Sequence, residues 1–439
     1  MKRPITLIIF IFSTIFAGWS QSRFYHVDNL DSQKSIVREF DSKRVIAYNE
    51  NSTSRGFCLL DFSTMTATYA ELPGRVVVVN DLEIIEDRAY FCGTYSGIPY
   101  VGHFKIDELF AGTGDYHLHH LNILDNYHSI ENPEKLDLYN AYGEEHVVLV
   151  GGALHYDLSR TNVTPERFVM DVHHDNPSQI DGRAVFNEST PDFFYDISAT
   201  DNFVVTIEGK ENGNAHYMRA FDKPTFAGGD IFSTTLWHTY YFSQGDYFPS
   251  SKFLITHMQG DQFATVCYSE KNGQFGAAIN IFQAPMTLLY RGILDQGALG
   301  ASRCQLKDIA YNPTSNVLSL LQDMDYPLPT SSQVSAICQI DAGYNTTAHY
   351  NTNYILHSLC RCANTDRVLS SGTNTSRWLS IFFHSPIDNS CHTETALNLM
   401  QLRSKDGKEV SAWDWQKVSG SCVTFSPIVT TYNIINDCR

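Results

Sequence analysis

The chain has 439 residues, of which 43% are hydrophobic and 18% are charged, a composition typical of a folded globular protein. Its net charge of −17 repels polyanions, which excludes nucleic acids and anionic membrane surfaces as partners. After the N-terminal segment no stretch reaches the roughly 20 apolar residues that a membrane-spanning helix needs, and no membrane insertion is expected.

The N-terminal segment has the three parts of a secretory signal peptide. Lys2 and Arg3 precede an apolar core at residues 5–16, and Gly18 and Ser20 supply small residues before the cleavage point. We therefore predict that residues 1–20 are removed. Residues 21–439 would then form a soluble protein that is secreted or periplasmic.

One pattern recurs along the rest of the chain. Its clearest copy is "DLEIIEDRAYFCGTYSGIPYVGHFKID", residues 81–107, in which three β-forming runs are separated by polar turns. Further β-rich segments between copies, such as "DYHLHHLNIL" and "PMTLLYRGIL", supply a fourth strand. The second run begins, in the seven copies, near Val45, Ala89, Val147, Phe203, Phe263, Val317 and Val368.

A four-stranded antiparallel sheet that recurs about seven times is typical of a β-propeller. We predict an all-β chain in which residues 21–439 form a single propeller of seven blades, with six or eight blades as alternatives. Either "RFYHV" near residue 25 or the C-terminal tail would supply the strand that closes the ring. A pair of β-sandwich domains is the other possibility, although it predicts no common register between copies.

The motif "DLEIIEDRAYFCG", behind a signal peptide without a lipid-attachment cysteine, resembles the blades of uncharacterised secreted β-propeller proteins of Gram-negative bacteria. The resemblance implies a fold and no activity. The chain has no recurring WD or kelch motif and no sialidase box, so no catalytic residue is transferred from those families.

Each first strand of the repeat opens with a polar residue, and in a propeller the first strands line the central channel. These residues would form a ring at one channel mouth, where a ligand could bind: Arg38, Asp81, Asn140, Asp196, Thr256, Asp308 and His357. Alternatively, each one ties its turn to the neighbouring blade by hydrogen bonds. If Asp81, Asp196 and Asp308 face a common space, they could supply the paired carboxylates of glycoside hydrolysis.

Histidines and cysteines suggest weaker candidates for a metal site. His117 and His119 point to one face of a strand, although solvated histidines on an outermost strand are the ordinary alternative. A second set could bind zinc or form disulfides: His357, Cys360, Cys362, Cys391 and His392. Cys267, in the apolar run "FATVCYS", is predicted to be a buried free thiol. We predict no cofactor and no metal.

Two long connections are rich in aromatic residues, which either stack on sugar rings or pack between blades. They contain Trp237, Tyr240, Tyr241, Tyr247, Trp413 and Trp415.

The absence of a recognisable catalytic motif favours a non-catalytic binding module over an enzyme. Such a module would recognise a glycan, or a protein partner that is secreted or in the cell envelope, at one mouth of the channel. The alternatives are a carbohydrate-active hydrolase or lyase that uses channel-facing carboxylates, and a cell-envelope scaffold protein.

Overall fold

A computed structural model describes residues 23–437, apart from a set of short gaps. The gaps are 75, 124–126, 142, 158, 160–161, 177–178, 187–191, 211–215, 224–234, 243–247, 272–273, 286, 296–302, 326–332, 351–353, 363–367, 385–392, 402–405 and 414–415. The expected signal peptide lies outside the described residues. The prediction of an all-β chain is confirmed, since strands account for 76% of the structure and the described residues contain one short helix.

The strands form seven successive antiparallel units, which we number 1 to 7. Unit 1 contains β2 (Lys34–Glu39), β3 (Arg44–Glu50), β4 (Arg55–Asp61) and β5 (Thr66–Glu71), and it follows β1 (Arg23–Asp31). Unit 2 contains β6 (Val77–Ile85), β7 (Arg88–Tyr95), β8 (Ile98–Lys105) and β9 (Tyr116–His120), with helix α1 (Ile106–Phe110) before β9 and β10 (Asn122–Ile123) after it. Unit 3 contains β11 (His128–Ala141), β12 (Glu144–Tyr156), β13 (Val163–Asn176) and β14 (Gln179–Phe186).

The remaining units continue the same order. Unit 4 contains β15 (Asp192–Ala199), β16 (Phe203–Lys210), β17 (His216–Asp222) and β18 (Thr235–Phe242). Unit 5 contains β19 (Phe248–His257), β20 (Gln262–Lys271), β21 (Gln274–Gln283) and β22 (Thr287–Asp295). Unit 6 contains β23 (Arg303–Asn312), β24 (Val317–Asp325), β25 (Gln333–Ile340) and β26 (Thr346–Tyr350). Unit 7 contains β27 (Tyr354–Arg361), β28 (Val368–Asn374) and β29 (Trp378–His384).

The predicted repeat is confirmed at the level of strands, because every second run coincides, within three residues, with the start of the second strand of a unit. The N-terminal strand β1 pairs with β29 and so supplies the fourth strand of unit 7. The first strands also contact one another in unit order, from β2 through β6, β11, β15, β19 and β23 to β27, which contacts β2 again.

The core lies between neighbouring units rather than within them. The middle of β3 is buried on both faces, which explains why such runs are apolar throughout instead of alternating. Phe57 of unit 1, for example, packs against Phe91 and Phe104 of unit 2, with ring centroids 4.9 Å away in both cases. Among the described residues no helix is long and apolar enough to cross a membrane.

The predicted arrangement of seven separate blades is not confirmed. The strands form four sheets of nine, ten, five and nine strands, a layout that differs from separate propeller blades. The cause is the C-terminal segment, whose strands pair with the outer edges of the units: β30 (Thr393–Gln401), β31 (Asp406–Trp413), β32 (Gln416–Phe425) and β33 (Val429–Asn436). Of these, β30 joins units 5 and 6, β32 joins units 2 and 3, and β33 joins β5 to β1, while β31 pairs with β18.

Candidate functional site

The polar residues of the first strands are positioned by a repeated irregularity of the backbone. The register between first and second strand shifts immediately before Asp81, Asp196 and Asp308. A shift of this kind re-aims the side chain that follows it. In unit 2 it depends on Gly93, because a Cβ at that position would collide with the backbone oxygen of Val78.

Asp81, Asp196 and Asp308 each use both carboxylate oxygens in the same way. One oxygen accepts the backbone N–H of the next residue, at 2.9–3.0 Å. The other accepts a backbone N–H from the first strand of the following unit. The donors in the following unit are Leu136 at 3.2 Å, Ile255 at 3.0 Å and Leu359 at 2.8 Å. These three carboxylates therefore join neighbouring units, which was the alternative to a ligand-binding role.

Unit 3 makes the same connection through Asp137, which the sequence interpretation missed. Its oxygens accept the N–H groups of Leu138 at 2.7 Å and of Ala199, in unit 4, at 2.6 Å. Burial raises the pKa of the Asp137 carboxyl, against the lowering effect of these N–H donors. Asn140, the residue predicted for this unit, is exposed and lines neither of the cavities described below. The motif of an acidic residue followed by Leu or Ile would have found Asp137.

Two cavities meet where the first strands approach one another. We call them the acidic cavity, of about 570 Å³, and the basic cavity, of about 520 Å³. Both are lined by Arg38, Asp81, Lys135 and Asp308, which therefore form the wall between them. Of the remaining predicted ring residues, Asp196 and Thr256 line the acidic cavity and His357 lines the basic one. The structure thus brings six of the seven predicted residues to two adjoining spaces, and not to one ring.

Lys135 lies at the wall and neutralises several carboxylates. Its Nζ is 3.6 Å from Asp81 Oδ2. Burial alone would lower the pKa of Lys135, but the negative charges of Asp81, Asp196 and Asp308 outweigh it and raise that pKa above its ordinary value. The lysine is therefore a permanent cation at the boundary. Lys135 could not be selected from the sequence, because only the fold places it near residues of units 4 and 6.

The acidic cavity has seven carboxylates in its lining, against the cations Arg38, Lys135 and Lys223. Arg38 binds Glu83 at 2.6 Å and Asp81 at 3.3 Å. Burial raises the pKa of the Glu83 carboxyl, opposed by the charge of Arg38. The cavity is therefore suited to cations or to neutral polar groups, and its best-placed carboxylates already accept hydrogen bonds.

The basic cavity has the opposite charge. Its lining contains three carboxylates and five cations: Lys34, Arg38, Lys135, Arg167 and Lys307. Lys34 donates to the backbone oxygen of Val79 at 2.8 Å, and Lys307 binds Asp323 at 2.7 Å. Burial lowers the pKa of Lys34, opposed by the negative charges of Glu50 and Asp81.

His357 lines the basic cavity, and its imidazole has a lowered pKa. Burial lowers the pKa of its imidazole to about 4, and the charges of Lys307 and Lys34 contribute to that shift. The ring is therefore neutral at physiological pH, and its Nδ1 lies 3.1 Å from Ser35 Oγ. A neutral imidazole can donate a hydrogen bond to a ligand or accept one from it, and it adds no charge to the cavity.

The predicted histidine pair lies on β9, the last strand of unit 2. His119 is fully buried instead of solvated, and its Nε2 lies 3.2 Å from His103 Nε2. The His103 ring also stacks on His117 at 4.8 Å. Within the described part of the chain, neither His117 nor His119 belongs to a group of three converging metal ligands.

The prediction for Cys267 is confirmed, since it is a buried free thiol. The side chains of Cys360 and Cys362 are also buried. Cys391, His392, Tyr247 and Trp415 lie outside the described residues. The side chains of the other aromatic candidates, Trp237, Tyr240, Tyr241 and Trp413, are also not described.

No protein-family model matches the chain, and no curated protein is significantly similar to it. The resemblance to secreted bacterial propeller proteins therefore stays a prediction.

Proposed function

We propose that this chain is a non-catalytic binding module that holds an acidic sugar, such as a uronic acid residue of a glycan, in the basic cavity. The observation that carries the proposal is the concentration of five cations around one space of about 520 Å³ in a chain with a net charge of −17. Ligand pockets usually have volumes of about 300–1,000 Å³, so a mono- or disaccharide has the appropriate size.

The proposal includes the architecture predicted from the repeat, a β-propeller of seven units arranged radially. Its support is the cyclic order of contacts between first strands and the position of β1 as the fourth strand of unit 7. In such an arrangement the two cavities are the two mouths of the central channel, and the Lys135 wall closes the channel between them.

The chemistry of the basic cavity favours an anion for two reasons. Ammonium groups attract a carboxylate strongly where the surroundings exclude water. An anion beside Lys34 would also favour its charged form, which burial disfavours. Neutral polar groups of Ser35, Asn80 and Asn132 border the same space and could contact sugar hydroxyls.

The hydrolase alternative has weaker support. Asp81, Asp196 and Asp308 each accept two backbone N–H groups, which occupy both carboxylate oxygens and fix their positions. Paired catalytic carboxylates must instead reach the scissile glycosidic bond and the sugar ring. A scaffold role would be favoured by a contiguous apolar surface patch, and the exposed large apolar residues, such as Val76, Leu289 and Ile428, come from different units or linkers.

The test compares binding of uronic acid oligosaccharides and their neutral counterparts by isothermal titration calorimetry. We expect the wild type to bind only the acidic sugars, and K34Q to weaken that binding at least tenfold. The matched control is K223Q, which removes a lysine of the acidic cavity and should leave affinity unchanged. Equal binding of neutral sugars, or a loss of affinity in K223Q and not in K34Q, would refute the assignment to the basic cavity.

A further inference from the structure

Within the described parts of the chain, unit 3 has longer strands than the other units. Its first three strands have 14, 13 and 14 residues, whereas the strands of the other units have at most 10. The unit 3 residues that line the cavities are Arg167 on β13 and residues in the middle of β11, between Asn132 and Leu138. The segment of β11 before Asn132, the end of β12 and the start of β13 therefore form a three-stranded extension beyond the basic cavity.

Three potential metal ligands converge on this extension. His128 and His155 are directly opposite each other in the β11–β12 pair, and their rings stack with centroids 4.9 Å apart. Glu166 on β13 is the third member, and its side chain is only 2% exposed. Its Oε2 lies 3.5 Å from His128 Nε2, and its Oε1 lies 3.3 Å from His155 Nδ1.

We propose that His128, His155 and Glu166 bind a divalent transition metal ion, with Zn²⁺ as the best match. Two imidazoles and one carboxylate form one of the ligand sets of zinc sites that keep a fourth position for water or substrate. Imidazole ligands favour zinc over Mg²⁺ or Ca²⁺, which prefer oxygen. This proposal does not depend on the proposed sugar binding.

The distances fit this coordination. With bonds of about 2.0–2.1 Å, neighbouring ligand atoms of a tetrahedral zinc ion are about 3.3 Å apart. The two nitrogen–oxygen distances, 3.5 and 3.3 Å, are close to that value and involve the two different oxygens of Glu166, while one ligand atom of each residue lies within 4.8 Å of the others. A separation of 4.8 Å exceeds the tetrahedral value by about 1.5 Å, so binding of the ion requires side-chain adjustments of up to that size.

Burial and access also fit. The Glu166 side chain is only 2% exposed, and a divalent ion held between it and the two histidines would lie next to a buried negative charge. The His155 side chain is 38% exposed, so that the ion could enter and its fourth position could reach solvent on that side.

A second histidine–glutamate cluster lies toward the other end of β12 and β13 and provides the matched comparison. It contains Glu144, His146 and His173. There His146 Nδ1 already contacts the buried Asp171 at 3.0 Å, and Tyr139 donates to the same carboxylate. Glu144 is 56% exposed and lies 3.9 Å from His173, so this cluster is the looser of the two.

The experiment titrates the full mature chain, freed of metal by a chelator, with Zn²⁺ in a calorimeter and with Co²⁺ by visible absorption, which reports four-coordinate geometry. The variants are H155A, E166Q and the control H173A. We expect one zinc ion per chain, at least tenfold weaker binding in H155A and E166Q, and unchanged binding in H173A. H155A removes a partly exposed side chain and E166Q keeps the shape of Glu166, so that circular dichroism should show folded proteins.

Three outcomes would overturn the assignment. The wild type could fail to bind Zn²⁺ at micromolar concentrations, H155A and E166Q could bind as tightly as the wild type, or H173A could be the variant that loses binding. The last result would assign the ion to the Glu144 cluster.

Discussion

Asp308 and Leu359 are joined by a hydrogen bond of 2.8 Å, from the backbone N–H of Leu359 to Oδ2 of Asp308, although they are 51 positions apart. The same connection joins Asp196 to Ile255. A carboxylate on a first strand thus fixes the position of the next first strand. Because residues of these strands line both cavities, the bonds help to hold the cavity walls in place.

Asp308→Ala should lower the free energy of unfolding by about 3 kcal/mol, because two buried N–H groups lose a charged acceptor. The matched control is Asp107→Ala, since Asp107 is a 67% exposed partner of Arg44 and its loss should change stability by at most about 0.5 kcal/mol. Urea denaturation measures both values. If the two variants lose the same stability, the bond between units 6 and 7 contributes little.

Lys135→Met should be more costly, with a loss of about 3–5 kcal/mol, because it removes the cation from among three carboxylates. Lys43→Met changes an exposed lysine and serves as the control. Lys135→Arg keeps the charge and should recover part of the stability. Denaturation by urea at constant pH compares the three. A K135M protein as stable as the wild type would show that the charge of Lys135 is not needed to stabilise the neighbouring carboxylates.

Stability should depend on pH through His357. Its pKa is about 4 in the folded protein and near 6.5 when unfolded, so that the unfolded state binds more protons between these values. The stability contributed by the neutral ring is fully present above pH 6.5 and is lost as the pH falls through 4, by up to about 3 kcal/mol. His357→Asn should remove this part of the slope, which denaturation curves at several pH values would show. An identical slope in both proteins would contradict the burial of the ring.

Thiol labelling should separate Cys422 from the buried cysteines. Burial raises the pKa of Cys267 to about 12 and that of Cys360 to about 11, and only the thiolate reacts with iodoacetamide. Cys422 is partly exposed. Native protein at mildly alkaline pH should be labelled at Cys422 before the other two, whereas denatured protein should be labelled at all three. Peptide mass spectrometry identifies the sites, and equally fast labelling of Cys267 would contradict the described core.

The repeat was predictable from sequence because both faces of the second strands are buried, which makes runs such as "HVVLVGG" apolar throughout. The spacing of the repeat and the number of strands in each unit follow from such runs and from the polar turns between them. The division of the predicted ring residues between the acidic and the basic cavity was not predictable from the sequence. A register shift beside Asp81 or Asp308 changes the direction of a side chain without changing the pattern of polar and apolar residues.

Two further features depend on contacts between distant parts of the chain. Lys135 meets carboxylates of units 4 and 6 only in the folded protein, and the sequence near it suggests an ordinary surface lysine. The strands β30–β33 were also missed as a group; the segment "VSGSCVTFSPIVTTYNIIND", which contains most of β32 and all of β33, has strand-forming residues but no copy of the repeat. Their partners are the outer edges of units that precede them by up to several hundred residues.

The pairing of β1 with β29 and β33 has a consequence for the order of folding. Strand β1 finds its two neighbours only after residues 378–436 have been synthesised. Contacts of such high sequence separation make folding slow, because a long loop must close before they form. A chain released early would expose the edges that β30–β33 cover and would be prone to aggregation. Strands β30–β33 therefore complete the sheet edges of units that are all synthesised before them.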